Sequence, residues 1–250
     1  MLYVKEPPDG HRRLPDVPLR PHYRADQQSP PPAENVTLPL PLRNRLADLI
    51  LAALHDGGAR RGLEALAAVC ADPRALDPGA PPPGFPAELF DHRADGWRVK
   101  SGFRQHAEAL GERAARAARA LSDRPLSAID PPLDIVLADA AALFEASLYF
   151  EVHEVLEPYW MRSDGADRQS LQGLIQAAVG FQHLANGNVE GARALLHEGA
   201  AKLIGQRLLG RDLDAFARAL IRCEREIVAL GAAAGRDFDW SAAPRFPSEA

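Results

Sequence analysis

The sequence predicts an all-α protein, an orthogonal or antiparallel array of about seven helices with no sheet. Three observations lead there. Apolar residues in every long segment recur at helical spacing, period-two alternation is absent, and after Pro132 only Pro158 interrupts the chain before Pro244. The carboxy-terminal half can therefore run as nearly continuous helix.

Ten of the 22 prolines fall within residues 1–41, including Pro30, Pro31 and Pro32. Missing amide hydrogens and fixed φ exclude ordinary helix there, so residues 1–37 are expected to form a disordered tail. From Leu42 to Leu54, Leu42, Leu46, Leu49, Ile50 and Ala53 stand at helical spacing, and after Asp56-Gly57-Gly58 a second helix is expected through LEALAAVC. The proline cluster Pro73 to Pro86, with Pro81-Pro82-Pro83 at its centre, reads as a loop or extended connection. Residues 101–121 are alanine-rich and predict a long helix. On it Arg113 and Arg116 share a side, Glu108 and Glu112 offset their charge, and the face reads as solvated. Residues 38–130 thus make a helical region of unknown role.

Pro125 and Pro131-Pro132 close that region. Helices are then expected near 133–145, 148–163, 169–186, 189–208 and 212–230, giving a helical domain over 131–235 and a C-terminal tail, 236–250. Asn186-Gly187-Asn188 reads as a helix stop followed by an N-cap, since glycine tolerates positive φ and the Asn188 side chain can accept free amides. Gly210-Arg211-Asp212 repeats the punctuation, with Asp212 as the cap candidate.

Lys and Arg number 29 against 34 Asp and Glu, a net charge of −5, and the seven basic residues from Arg98 to Arg124 carry no interleaved aromatic ladder. Both facts argue against a nucleic-acid partner. No stretch approaches the roughly 18 uninterrupted apolar residues of a spanning helix, and the amino terminus has no apolar h-region, so neither a membrane nor export is expected. Cys70 and Cys223 lie outside any CxxC pattern, which supports neither a disulfide framework nor a cysteine zinc site; a cytoplasmic location is expected.

The informative stretch is LYFEVHEVLEPYWMRS. On a helical wheel Tyr149, Val152 and Leu156 form one apolar side, while His153, Glu154 and Glu157 form another stripe with Phe150 and Met161. Carboxylates and an imidazole mixed with large apolar groups suggest partial burial. His153 and Glu157, four residues apart, are neighbours on the helix surface. In 169–186, Gln172, Gln176 and His183 line up beside Gly173, Ala177 and Gly180. Mid-helix glycine costs about 1 kcal/mol relative to alanine, so two of them a heptad apart suggest close approach of another backbone. With 148–163 as that neighbour, the two polar stripes are expected to meet.

These residues resemble the "domain of unknown function 309" family, a small all-helical domain. Its hallmark is an aromatic-Glu-x-His-Glu-x-x-Glu-x-x-Trp run, then Leu-Gln-Gly-Leu-Ile-Gln, then a Gly-Asn-x-x-Gly-Ala turn. The match falls on Phe150, Glu151, His153, Glu154, Glu157, Trp160, Leu171, Gln172, Gly173, Leu174, Ile175, Gln176, His183, Gly187, Asn188, Gly191 and Ala192, within residues 137–200. The family has no settled activity, so the resemblance implies a helical fold and no reaction. Two departures stand out. Glu145-Ala146-Ser147-Leu148 occupies a turn where members often carry Asn and Gly, and Pro158 would remove a hydrogen bond to the Glu154 carbonyl and kink or shorten its helix.

Four readings follow for the cluster. His153, Glu154, Glu157, Gln172, Gln176 and His183 either form a structural hydrogen-bond network that fixes helix register or line a small-ligand pocket. His153, Glu157 and His183 are the candidate ligands for a divalent metal such as zinc, manganese or iron, although no HExxH or paired ExxH motif is present. His153 oriented by Glu157 is the candidate general acid or base of a hydrolase-type site, without an accompanying Ser or Cys nucleophile motif. The competing class is a helical protein-interaction module without catalysis, whose partner would be a protein rather than a small molecule. His55, His92, His106 and His197 read as surface or scaffold residues.

Overall fold

The computed structural model describes residues 37–77 and 81–247. The tail expected over 1–37 lies, Thr37 apart, outside the described residues. Eight helices of 13 residues or more dominate what is described: α1 (Leu40–Ala53), α2 (Gly57–Ala71), α3 (Ala107–Leu121), α4 (Leu133–Glu145), α5 (Tyr149–Arg162), α6 (Gly165–Ala185), α7 (Val189–Leu203) and α8 (Asp214–Leu230), followed by a single turn, α9 (Ala234–Asp237).

The expectation of no sheet and about seven helices is corrected by two small antiparallel hairpins. In the first, β1 (Phe90–Arg93) pairs with β2 (Gly96–Val99), Phe90 opposite Val99. Phe85 packs tilted against Phe90 and edge-on against Trp97, with ring centroids 5.0 and 5.3 Å apart, and the Trp97 backbone N–H donates to the Pro73 carbonyl at 2.8 Å. Strands of four residues are too short for a period of two to register, but Asp95-Gly96 is a hairpin-turn signal that could have disclosed them. The second hairpin pairs β3 (Arg207–Leu208) with β4 (Arg211–Asp212) around Leu209 and Gly210, both at positive φ (48° and 82°) as the favoured two-residue turn requires. It ends the helix expected over 189–208 at Leu203. It also moves Asp212 into a strand, where its carboxylate accepts the Asp214 amide at 2.9 Å.

Local chemistry sets the helix ends. Asp56 caps α2 by accepting from Gly58 and Ala59, and Asn188 caps α7 by accepting from Gly191 at 3.0 Å. The α6 stop is a glycine-type C-cap: Gly187, at φ 74°, donates to Leu184 O, and Asn188 N–H reaches back to His183 O. The same bonding closes α4, with Ser147 N–H on Phe144 O and Leu148 N–H on Leu143 O. Here Ser147 takes the left-handed position, φ 57°, that glycine usually fills. The break between α4 and α5 therefore forms without Asn-Gly. Pro158 lies inside α5, which continues to Arg162.

One apolar core runs from Leu38 through all eight long helices to Phe246. Polar ties bind its parts: Arg124 pairs with the buried Asp139 (2.6 Å), whose other oxygen takes the Ser127 hydroxyl, and Arg60 donates to the carbonyls of Ala53, Arg124 and Pro125. The segment read as a tail from 236 contributes Phe238 and Phe246 to this core.

Candidate functional site

Helix α5 presents three faces. Tyr149, Val152 and Leu156 point into the core, where Tyr149 stacks on Phe181 of α6 at 5.5 Å. Glu151 points to α3 and has no exposed surface. Its Oε2 accepts from Arg113 Nη2 at 2.8 Å, so the arginine read as part of a solvated face is instead the counter-charge of a buried carboxylate. Arg43 of α1 lies over the Phe150 ring, 4.4 Å from its centroid. Burial and the neighbouring Arg113 lower the pKa of Arg43, while Glu154 and Glu151 act the other way. Burial likewise lowers that of Arg116, again with Arg113 adding to the effect. Glu151 Oε1, Arg113 Nε and Arg116 Nε are buried and reach no partner among the described residues.

The third face carries the candidate acid–base line. His153 is 9% exposed, with Nδ1 3.1 Å from Glu154 Oε1 and Nε2 3.8 Å from Glu157 Oε1. Both carboxylates are about one-third open to solvent, at 34% and 36%. The imidazole thus has an accessible carboxylate near each nitrogen, that of its chain neighbour Glu154 and, through the i, i+4 spacing, that of Glu157.

The expected meeting of this line with Gln172, Gln176 and His183 does not occur in the hydrogen bonding. Gln176 donates to Glu198 of α7 at 2.7 Å, and His183 bonds Asn188 at the α6–α7 turn. Gln172 is half-buried. The reason lies in the glycine line, whose close neighbour is α7 rather than α5. A Cβ at Gly173 would stand 2.7 Å from Leu203 Cγ, one at Gly180 3.0 Å from Leu196, and one at Gly199 2.9 Å from the Gly173 carbonyl oxygen. The turn Asn186-Gly187-Asn188 folds α7 straight back along α6, and Gln176 and His183, adjoining the glycines on the wheel, turn toward α7 and its turn with them. Glu198 is the partner that the sequence did not disclose.

His183 has a defined tautomer. Asn188 Oδ1 accepts Gly191 N–H, so its Nδ2 faces His183 Nδ1 at 2.8 Å and must donate. Nδ1 is therefore unprotonated, and burial lowers the pKa of His183 in the same sense. Trp160, half-buried at the end of α5, is covered by Arg168, whose guanidinium sits 4.3 Å from the ring and donates to the carbonyls of Trp160, Met161 and Ser163.

No group of three or more His, Cys, Asp or Glu side chains that could hold a metal ion occurs among the described residues. His153 and Glu157 come together; His183 bonds elsewhere. Among the same residues no helix is long and apolar enough to cross a membrane.

Fold and site together define a mostly helical protein in which α5, beside the α6–α7 hairpin, carries the line of His153, Glu154 and Glu157. Residues 137–195, which span most of α4, all of α5 and α6 and the first half of α7, match the family model "Domain of unknown function (DUF309)". No curated protein and no solved structure matches the chain.

Proposed function

We propose that the chain is a helical small-ligand-binding protein whose site is the outer line of α5, formed by His153, Glu154 and Glu157. The observation that supports this reading is a nearly buried imidazole with a carboxylate oxygen at each ring nitrogen, 3.1 and 3.8 Å away, both carboxylates keeping open surface. Such a line offers acceptors and negative charge, so it suits a small organic cation such as an amine. Arg43, seated over Phe150 within the field of Glu154, illustrates the type of group this helix accepts. The catalytic form of the reading has His153 pass a proton with Glu157 beside it. Gln176 and His183 serve helix pairing instead.

A ligand that binds only the native state raises its melting temperature by mass action. The test compares wild type, His153→Ala and Glu157→Gln, each with and without 1,4-diaminobutane, Mn²⁺ or Zn²⁺. A diamine-dependent rise in wild type, lost in both variants, supports the reading. A metal-dependent rise with the same loss would replace the amine by a metal. No rise with any probe, together with a stability loss in His153→Ala, would leave a purely structural network. A second reading, the helical interaction module, draws on α5 already receiving arginines from two other helices, Arg113 and Arg43.

A further inference from the structure

Away from the His153 line, the segment 238–247 crosses a groove walled by α4, α5, α6 and α8. We propose that this groove is a peptide-binding surface whose resident occupant is the chain's own 238–247 segment, recognised through aromatic anchors at Phe238, Trp240 and Phe246.

Anchors and spacers alternate along the segment. Phe238 and Phe246 are each 4% exposed, whereas Ser241, Ala242 and Arg245 between them face solvent. Phe246 enters between Phe144 and Phe216, with ring centroids 5.5 and 6.0 Å away. Trp240 stacks on Tyr149 at 6.3 Å, reaches Phe181 at 6.3 Å, and meets Phe238 edge-on at 5.4 Å. Large aromatic anchors in pockets, with exposed residues between them, are also the anatomy of a recognised peptide.

The backbone is held in the same manner. From Phe238 onward, its backbone-to-backbone hydrogen bonds among the described residues are local: Phe238 to Ala234, Ala242 to Asp239 and Ala243 to Trp240. The body of the protein grips it with side chains. Glu226 Oε1 accepts Asp239 N–H at 3.1 Å, Glu145 Oε1 accepts Phe246 N–H at 3.1 Å, and the Cys223 thiol donates to Ala242 O at 3.4 Å. Burial pushes the Cys223 thiol up to about 11, which keeps that proton in place at neutral pH. The peptide this groove fits carries two aromatics two positions apart and a third six positions further on, with a single 3-10 turn beginning at the second aromatic, as at Trp240–Ala242.

A protease site inserted after Asp237 allows the segment to be cut once the full chain has folded. The cut protein is then titrated with a fluorescent peptide of residues 238–247. Saturable binding is expected, competed by unlabelled peptide, and at least about tenfold weaker for peptides carrying Trp240→Ala or Phe246→Ala. The uncut chain should bind the peptide far more weakly, because the tethered segment competes at high effective concentration. Equal binding by cut and uncut chains, or indifference to the alanine changes, would overturn the proposal. Hydrogen exchange on the intact chain gives a second check that does not depend on surviving cleavage. Amides of Asp239 and Phe246 should exchange through a local opening well before those of α6; exchange only together with the α6 core would show the segment to be an inseparable part of the fold.

Discussion

Arg113 Nη2 and Glu151 Oε2 meet at 2.8 Å, the carboxylate side chain wholly buried and the guanidinium side chain 14% exposed. Removing one partner of a buried pair strands the other charge. Arg113→Met is therefore expected to destabilise the protein by about 3–5 kcal/mol, and the double variant Arg113→Met, Glu151→Leu to recover most of that loss. Urea denaturation of both variants checks it; a double variant no better than the single one would mean that the pair does more than neutralise charge.

Gly173 and Gly199 touch backbone to backbone across α6 and α7. Gly199→Ala drives its Cβ against the Gly173 carbonyl at 2.9 Å, an atom that cannot rotate away, and is expected to cost about 1–3 kcal/mol. Gly180→Ala meets mainly the Leu196 side chain and should cost less. Equal denaturation midpoints for Gly199→Ala and wild type would remove the close-packing argument.

His183 makes stability depend on pH. Its pKa is lowered in the folded state, so the folded form resists protonation more than the unfolded form, whose value is about 6.5. The contribution is whole above that value and is lost as pH falls through the folded-state pKa. His183→Gln should flatten the stability profile on the acid side of neutrality. Thermal melts from pH 7.5 downward read the difference, and parallel slopes for the two proteins would refute the assignment.

Arg168 caps the end of α5 and covers Trp160. Arg168→Ala removes its hydrogen bonds to three carbonyls together with the guanidinium over the indole, at an expected cost of about 1–2 kcal/mol for a partly exposed group. Arg168→Lys, which keeps the charge but not the planar fork, should recover only part of it. Chemical denaturation followed by tryptophan fluorescence gives both values.

Much of the helical layout was legible because its causes are local. The spacing of Leu42, Leu46, Leu49 and Ile50, the Asn188 cap and the Gly187 stop each depend on residues within a turn or two of one another. The hairpin that turns at Ala94-Asp95 was just as local but too short for periodicity to reveal. The stripes on α5 and α6 were legible as stripes. A helical wheel identifies an unusual face, but it does not name the neighbour that face will meet.

Tertiary structure decided the neighbours. The glycine line went to α7 because a three-residue turn folds that helix back on α6, and it took Gln176 and His183 with it. Glu151 found Arg113 across 38 residues of chain, and Phe246 found Glu145 across 101. By itself the sequence determined most of the helices, the Asn188 cap and the stripe of His153, Glu154 and Glu157, each of which arises within one stretch of backbone. Which charges are buried, which histidine is held neutral and what fills the aromatic groove were settled only by packing, because desolvation and close contact are properties of segments brought together from distant parts of the chain.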